Sequence, residues 1–199
     1  MSGIRVRAAS VDDTRAVVGS LASAFQEDPS FVWCIPRTEE RRRLLMEYFG
    51  VVFDALRTHG ECYCVPDAAA AALWVPPGQQ ALTEEQGARL RQVFEAVGAA
   101  EATRFADLIG VMDACHPRRE HFYLWFLGVA STAQRRGLGS ALLRSRLGWC
   151  DLHSVPAYLE ATSDGNRRLY ERHGFHVTGE FTAVGSPPMW SMWRDPGGP

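Results

Sequence analysis

Apolar and polar positions alternate or recur along this chain in a way that predicts short strands interleaved with longer helices. Ile4-Arg5-Val6-Arg7-Ala8 alternates and reads as a strand. Ser10, with Asp13 three residues on, is a capping-box-like start to an apolar-periodic helix reaching about Phe25, which Asp28-Pro29 breaks. Phe31 through Pro36 reads as an apolar loop or short turn. From Thr38, Leu44, Leu45, Tyr48, Phe49, Val52, Phe53 and Leu56 recur at helical spacing up to Gly60. Arg41-Arg42-Arg43 on its first turns reads as a solvated face, with anion contact as the alternative. Two short strands follow, Cys62–Val65 and Ala70–Val75, turned by Pro66-Asp67 and stopped by Pro76-Pro77-Gly78. Leu82–Asp113 reads as two helices split near Gly98, the first opened by Thr83 with Gln86, and His116-Pro117 closes the 82–117 stretch. This helical insertion could be a flap over a site or simple scaffold.

The second half is more regular. His121–Val129 is a long aromatic strand, with His121, Tyr123, Trp125, Leu127 and Val129 on one face and Phe122, Leu124 and Phe126 on the other. Apolar residues on both faces predict a central strand. A glycine-containing turn, Gln134–Gly139, opens a helix to about His153, and Pro156–Ala161 is the next strand. Asp164–His173 reads as a short helix stopped by Gly174, where a left-handed cap is needed. Phe175–Val184 and Met189–Arg194 read as final strands. No repeat or linker interrupts the pattern, so a single α/β domain over residues 1–199 is expected.

Composition narrows the chemistry. The chain has 199 residues, with 21 Lys+Arg against 23 Asp+Glu. A net charge near −2 gives no basic footprint for nucleic acid or an anionic membrane. Every one of the cations is arginine, which excludes a Schiff-base lysine and a P-loop lysine. No apolar run approaches the roughly 20 residues that span a bilayer, and Met1–Ser10 lacks the apolar core of a secretory signal. The five cysteines (34, 62, 64, 115 and 150) are scattered and odd in number, which fits reduced thiols in a cytoplasm. His59-x2-Cys62-x-Cys64 has no second ligand pair at zinc-site spacing, so these are read as small core side chains rather than a metal site. The Arg-only basic set and the Ala/Gly content suggest a GC-rich bacterial genome.

The sharpest motif is Gln134-Arg135-Arg136-Gly137-Leu138-Gly139-Ser140, between a buried strand and a helix. Glycines there remove Cβ atoms, so successive backbone N–H groups can converge on one point. The helix start adds unpaired donors and the positive end of its dipole. Together with Arg135 and Arg136 this makes a pyrophosphate cradle needing neither lysine nor Mg²⁺. Leu142 stands where a dinucleotide fingerprint would place a third glycine.

This segment resembles the Gln/Arg-x-x-Gly-x-Gly/Ala loop of the GNAT superfamily of acetyl-CoA-dependent N-acetyltransferases. Tyr158-Leu159-Glu160-Ala161-Thr162 followed by Asn166-x2-Leu169-Tyr170-Glu171-Arg172-His173-Gly174-Phe175 looks like the family's strand–helix–Gly-Phe segment. The likeness covers about residues 120–194. The Phe25…Asp28-Pro29…Trp33 start and the Pro187-Pro188-Met189-Trp190 end look like the subgroup containing puromycin N-acetyltransferase.

The resemblance implies a mixed α/β fold, a twisted and mostly antiparallel sheet splayed between its fourth and fifth strands. It implies acetyl-CoA as co-substrate, with Gln134, Arg135, Arg136, Gly137, Gly139 and Ser140 at the pyrophosphate. The backbone of Leu127 and Val129 would pair with the pantetheine arm, and Gly128 between them is where the strand can bulge or admit a close backbone approach. A backbone N–H there can polarise the thioester carbonyl. Asn166 would contact the cofactor arm, and Tyr170, four residues on and on the same side of its helix, would serve the departing thiolate.

The acceptor side rests on chemistry. An alkyl amine has an unperturbed pKa of roughly 10 and must lose a proton before attack. Glu160 is the first candidate base, with Glu27, Asp28 and His121 in reserve; a buried Glu160 would need partners. Phe31, Trp33, Trp74, Trp125 and Trp190 are candidate pocket walls or ordinary core. The expected reaction is direct transfer to a primary amine in a ternary complex. A small-molecule acceptor leads, a protein N-terminus or lysine and a non-catalytic acyl-CoA sensor are the alternatives, and a homodimer stays open.

Overall fold

The computed structural model describes residues 3–197; Met1, Ser2 and the last two residues of the 1–199 span lie outside the described residues. Seven strands form one sheet in the order β1-β2-β3-β4-β5-β7-β6. They are β1 (Arg7–Ala8), β2 (Cys62–Cys64), β3 (Ala70–Val75), β4 (Phe122–Val129), β5 (Ala157–Ala161), β6 (His176–Phe181) and β7 (Met189–Arg194). The helices are α1 (Thr14–Phe25), α2 (Pro29–Cys34), α3 (Thr38–Leu56), α4 (Glu84–Glu95), α5 (Ala99–Cys115), α6 (Leu138–His153) and α7 (Asp164–Glu171). Every strand pairing is antiparallel except β4 with β5.

Local signals in the sequence act as their chemistry dictates. Ser10 and Asp13 form the capping box, and Thr83 with Gln86 forms another ahead of α4. Gly60 and Gly174 take left-handed conformations, at φ 72° and 86°, where the preceding helical turns end. Two expectations need correction. Residues 31–34 are helical: the Asp28 carboxylate accepts from the Ser30 and Phe31 N–H groups at 3.0 and 3.4 Å, and Pro29 sits at the first helical position. Arg41 is buried rather than solvated, donating to the carbonyls of Gln26, Ile35 and Pro36 at 2.7, 2.7 and 3.1 Å. It satisfies the chain ends around α2 that no helix bond reaches.

The sheet separates two apolar clusters. One holds α1, α3 and the Phe94–Phe105 stack that joins α4 to α5; the other holds α6 and α7. Strand β4 changes sides between them. Leu73 faces Phe126 while Trp74 faces Leu124, leaving Trp125 as an extra residue, a β-bulge. Tyr123, Trp125 and Phe126 therefore pack toward α1 and α3, whereas Leu127 and Val129 pack toward α6 and α7. A single alternating face from His121 to Val129 is thus incorrect, and the bulge lies at Trp125 rather than Gly128.

At Gly128 it is helix α1 that comes close. A Cβ there would lie 2.7 Å from Leu21 Cδ2 and 3.1 Å from Ala24 Cβ, both on α1. Gly128→Val is expected to push α1 off the sheet and destabilise the fold by about 1–3 kcal/mol. A thermal melt indistinguishable from wild type would show that α1 tolerates the added carbons.

The β4–β5 pairing is confined to Phe122–Ala157 and Tyr123–Tyr158. Beyond those rungs the two strands separate, so the sheet is splayed where β4 runs from Leu124 to Val129. Ala130 donates to the Ala69 carbonyl at 2.8 Å on the β3 side. Strand alternation then turns the N–H and C=O of Leu127 and Val129 to the opposite edge, into the splay.

Candidate active site

Three groups of residues meet around the splay. The first is the loop between β4 and α6. Gly137 is left-handed at φ 79° and Arg135 at φ 60°, which wraps the backbone around one point ahead of the helix. Ala141 makes the first bond of α6, to the Gly137 carbonyl at 3.0 Å. The N–H groups of Leu138, Gly139 and Ser140 are thus the helix's unpaired terminal donors. Gly139 is buried against Leu169, Val129 and Leu127, where a Cβ would stand 3.6–3.8 Å from their side chains. Arg135 and Arg136 are exposed beside it. Gln134 turns its amide to the Val129 carbonyl at 3.3 Å, and Ser140 Oγ lies 3.0 Å from His173 Nε2.

The second group lines a small cavity of about 70 Å³ under the splay, bounded by Asp28, Phe31, Leu127, Thr162, Asn166 and Tyr170 among others. Asn166 Nδ2 donates to Thr162 Oγ1 at 3.3 Å, and Thr162 donates in turn to Asp28. Burial, and behind it the Asp28 carboxylate, holds the Tyr170 phenol well above its ordinary range, so it stays protonated at neutral pH. Burial raises Asp28 as well. Its oxygens are already taken by the α2 N-terminus and Thr162, which makes it a structural cap.

The third group forms an open cleft of about 920 Å³ between the sheet and the α4–α5 pair. The insertion forms a wall of this cleft: Phe105 and Leu108 of α5 pack into the core, and Arg104 Nε donates to the Cys34 carbonyl at 3.1 Å. Phe105, Ile109, Met112, Trp125 and Glu160 line both the cavity and the cleft, so they form the constriction between them. The Glu160 side chain is 3% exposed, and its Oε1 has no hydrogen-bond partner among the described residues. His116 Nδ1 lies 3.8 Å from that oxygen.

The reserve residues are otherwise occupied. Glu27 is 80% exposed beside Arg41, and His121 is buried with Nδ1 2.6 Å from the Arg119 carbonyl, its pKa lowered by burial. Of the aromatic candidates, Phe31 and Trp125 line the cavity, while Trp74 is wholly buried in the core. Trp33 packs against the α1–α3 cluster, and Trp190 stacks under Arg167 and donates to Glu180 at 3.0 Å. Cys62 and Cys64 are buried core residues. No group of three His, Cys, Asp or Glu side chains able to hold a metal occurs among the described residues, nor any helix long and apolar enough to cross a membrane. The sequence pattern gave His116 no role beyond ending a helix, because its neighbour Glu160 is 44 positions away in the chain.

Comparison with known proteins bears on this arrangement. The chain is 27% identical over 174 residues to an uncharacterised N-acetyltransferase of Schizosaccharomyces pombe, covering 82% of this chain and 70% of that protein. A Corynebacterium glutamicum structure described as histone acetyltransferase HPA2 and related acetyltransferase superposes with a TM-score of 0.73 at 27% identity, covering 98% of this chain and 97% of that one. The fold is shared with arylalkylamine N-acetyltransferase 2 of Aedes aegypti, at a TM-score of 0.65, 14% identity, and 98% and 99% coverage. It is also shared with a Drosophila melanogaster polyamine N-acetyltransferase, at a TM-score of 0.60, 18% identity, and 96% and 97% coverage. The family model described as Acetyltransferase (GNAT) family matches residues 20–175, and with the splayed seven-stranded sheet around which these residues gather, the chain belongs to the GNAT family of acetyltransferases.

Proposed function

We propose that the protein transfers an acetyl group from acetyl-CoA to a small primary amine by direct attack in a ternary complex. The observation that carries this reading is the convergence of three things on the splay. They are a cradle of free N–H groups, the open backbone edge of Leu127 and Val129, and a cavity lined by Asn166 and Tyr170 that opens past Glu160 into the cleft. The residues present fit coenzyme A. Leu138, Gly139 and Ser140 N–H groups with Arg135 and Arg136 suit a diphosphate, Gln134 lies beside it, and Leu127, Val129 and Asn166 offer a pantetheine arm paired polar groups.

The acceptor enters through the cleft, passes the constriction and presents its nitrogen beside Glu160. Glu160 accepts the proton that an ammonium must lose before it can attack. The nitrogen bonds to the thioester carbon, whose oxygen is steadied by backbone N–H in the splay. As the carbon–sulfur bond breaks, Tyr170 gives its proton to the thiolate and regains one from the newly bonded nitrogen. The tight constriction favours a slim amine over a folded protein segment. The shared fold of relatives named for arylalkylamines and polyamines supports the same class, as does the puromycin N-acetyltransferase likeness of the chain's two ends. A silent acyl-CoA sensor gives no reason for a buried carboxylate with one oxygen free of hydrogen bonds, among the described residues, at the mouth of the cavity.

Release of free thiol from acetyl-CoA, followed across a panel of small amines, tests the reading. Amine-dependent release is expected; calorimetric binding of acetyl-CoA with no release for any amine or peptide would leave only the sensor. Tyr170→Phe is expected to lower kcat by roughly ten-fold or more while acetyl-CoA affinity stays within about two-fold. Unchanged turnover in that variant would remove Tyr170 from the chemistry.

A further inference from the structure

The site as described leaves one proton without an exit. Each turnover of an ammonium substrate releases one proton: the second proton lost by nitrogen is balanced by the one Tyr170 delivers to sulfur, but the first remains on Glu160. The Glu160 side chain is 3% exposed and so has little direct contact with the water that must take that proton.

We propose that His116 is the positioning and relay residue for Glu160, taking that proton at Nδ1 and releasing it from Nε2 into the cleft. The inference rests on the assignment of Glu160 as base. Local sequence fixes the geometry. Pro117 disfavours helical backbone at the residue before it, and His116 is extended at φ −66°, ψ 129°, ending α5. The chain thereby turns the imidazole away from the helix and onto the sheet. Its ring packs against His121 at 5.0 Å, Tyr123 at 4.8 Å and Tyr158 at 5.0 Å, which hold it in place. Nδ1 stands 3.8 Å from Glu160 Oε1, a buried oxygen with no hydrogen-bond partner among the described residues. That gap is short enough to close into a hydrogen bond when a substrate arrives. The side chain is 34% exposed and lines the cleft, so one ring edge meets the buried carboxylate while the ring as a whole reaches solvent.

The other groups facing this pair do not duplicate the role. Tyr123 and Tyr158 on β4 and β5 are held protonated by burial and by the Glu160 charge. His121 has its Nδ1 committed to the Arg119 carbonyl. Asp113 on α5, Arg91 on α4, and Arg118, Arg119 and Glu120 beyond Pro117 line the outer cleft, where they set its potential without meeting Glu160 within ion-pair range.

The test compares His116→Ala, His116→Gln and Glu160→Gln in the full chain by amine-dependent thiol release across pH, with and without added imidazole. For both His116 variants kcat is expected to fall about ten-fold or more near neutral pH, with acetyl-CoA binding unchanged. The deficit should shrink as pH approaches roughly 10, where the amine arrives neutral, and imidazole should restore part of the His116→Ala rate. A pH profile matching wild type, or a loss equal at every pH and indifferent to imidazole, would overturn the relay. Glu160→Gln separates the two readings: if it is impaired while the His116 variants are normal, only the relay falls. If it is fully active, the base assignment falls and the relay with it. His116→Gln keeps the ring's bulk, so a melting temperature lowered in His116→Ala alone does not obscure the result.

Discussion

Glu160→Gln is expected to lower kcat/KM by about 100-fold or more near neutral pH while leaving the protein at least as stable as wild type. The two halves have one cause. Glu160 is a carboxylate taken out of water at the constriction, with an oxygen that finds no hydrogen-bond donor among the described residues. An ionised group in that setting is expensive to the fold unless it is paired. Glutamine removes the charge and keeps the shape, so the thermal melt should not shift down. The proposed reaction would lose its proton acceptor, and general base catalysis of this kind contributes about 10²–10⁴-fold. The loss should diminish with rising pH, because an amine of pKa roughly 10 sheds its proton unaided there. A variant that is both less stable and fully active would mean that Glu160 serves the fold and that another group takes the proton.

Gly137→Trp and Gly139→Trp are expected to abolish acetyl-CoA binding, a loss of 100-fold or more in calorimetric titration, since neither indole fits without displacing the loop that presents the N–H groups. The two positions act differently on the fold. Gly137 is exposed and left-handed, so any side chain there strains the backbone by roughly 1–2 kcal/mol. Gly139 has ordinary dihedrals but is buried against Leu127, Val129 and Leu169. Its nearest neighbours leave room for one carbon and no more, so Gly139→Ala should bind within a few-fold of wild type and serve as the control. Normal binding in both tryptophan variants would remove the loop from the cofactor site. Desulfo-CoA should behave like acetyl-CoA in this titration and ATP should not, which separates recognition of the whole cofactor from a general affinity for phosphates.

These two sites differ in how far the sequence alone could reach them. The loop is local: two glycines, two arginines and a helix start within seven residues determine a donor-lined turn whatever surrounds it. The same holds for the Ser10–Asp13 and Thr83–Gln86 capping boxes, the left-handed Gly60 and Gly174, and the apolar periods of α3 and α6. The shared helix face of Asn166 and Tyr170 was also legible, since a spacing of four puts both on one side wherever the helix docks.

What depended on distant partners was not legible. Alternation along residues 121–129 predicts one continuous face, yet the extra residue at Trp125 turns Leu127 and Val129 to the opposite side, because β3 pairs Leu73 and Trp74 with Phe126 and Leu124. Arg41 looks like part of a solvated arginine run until the α2 turn brings three carbonyls around it. Asp28 looks like a helix breaker and is the cap of the next helix. Glu160 was a candidate by its place on a strand, but its isolation, its neighbour His116 and its position between cavity and cleft follow from packing α5 against the sheet. The sequence by itself determined the elements, their ends and the phosphate-type loop, because these follow from backbone sterics and hydrogen bonds within a few residues. The tertiary structure alone decided which charges lose their water and which side chains meet. Both depend on contacts between segments tens of residues apart, and no local pattern records them.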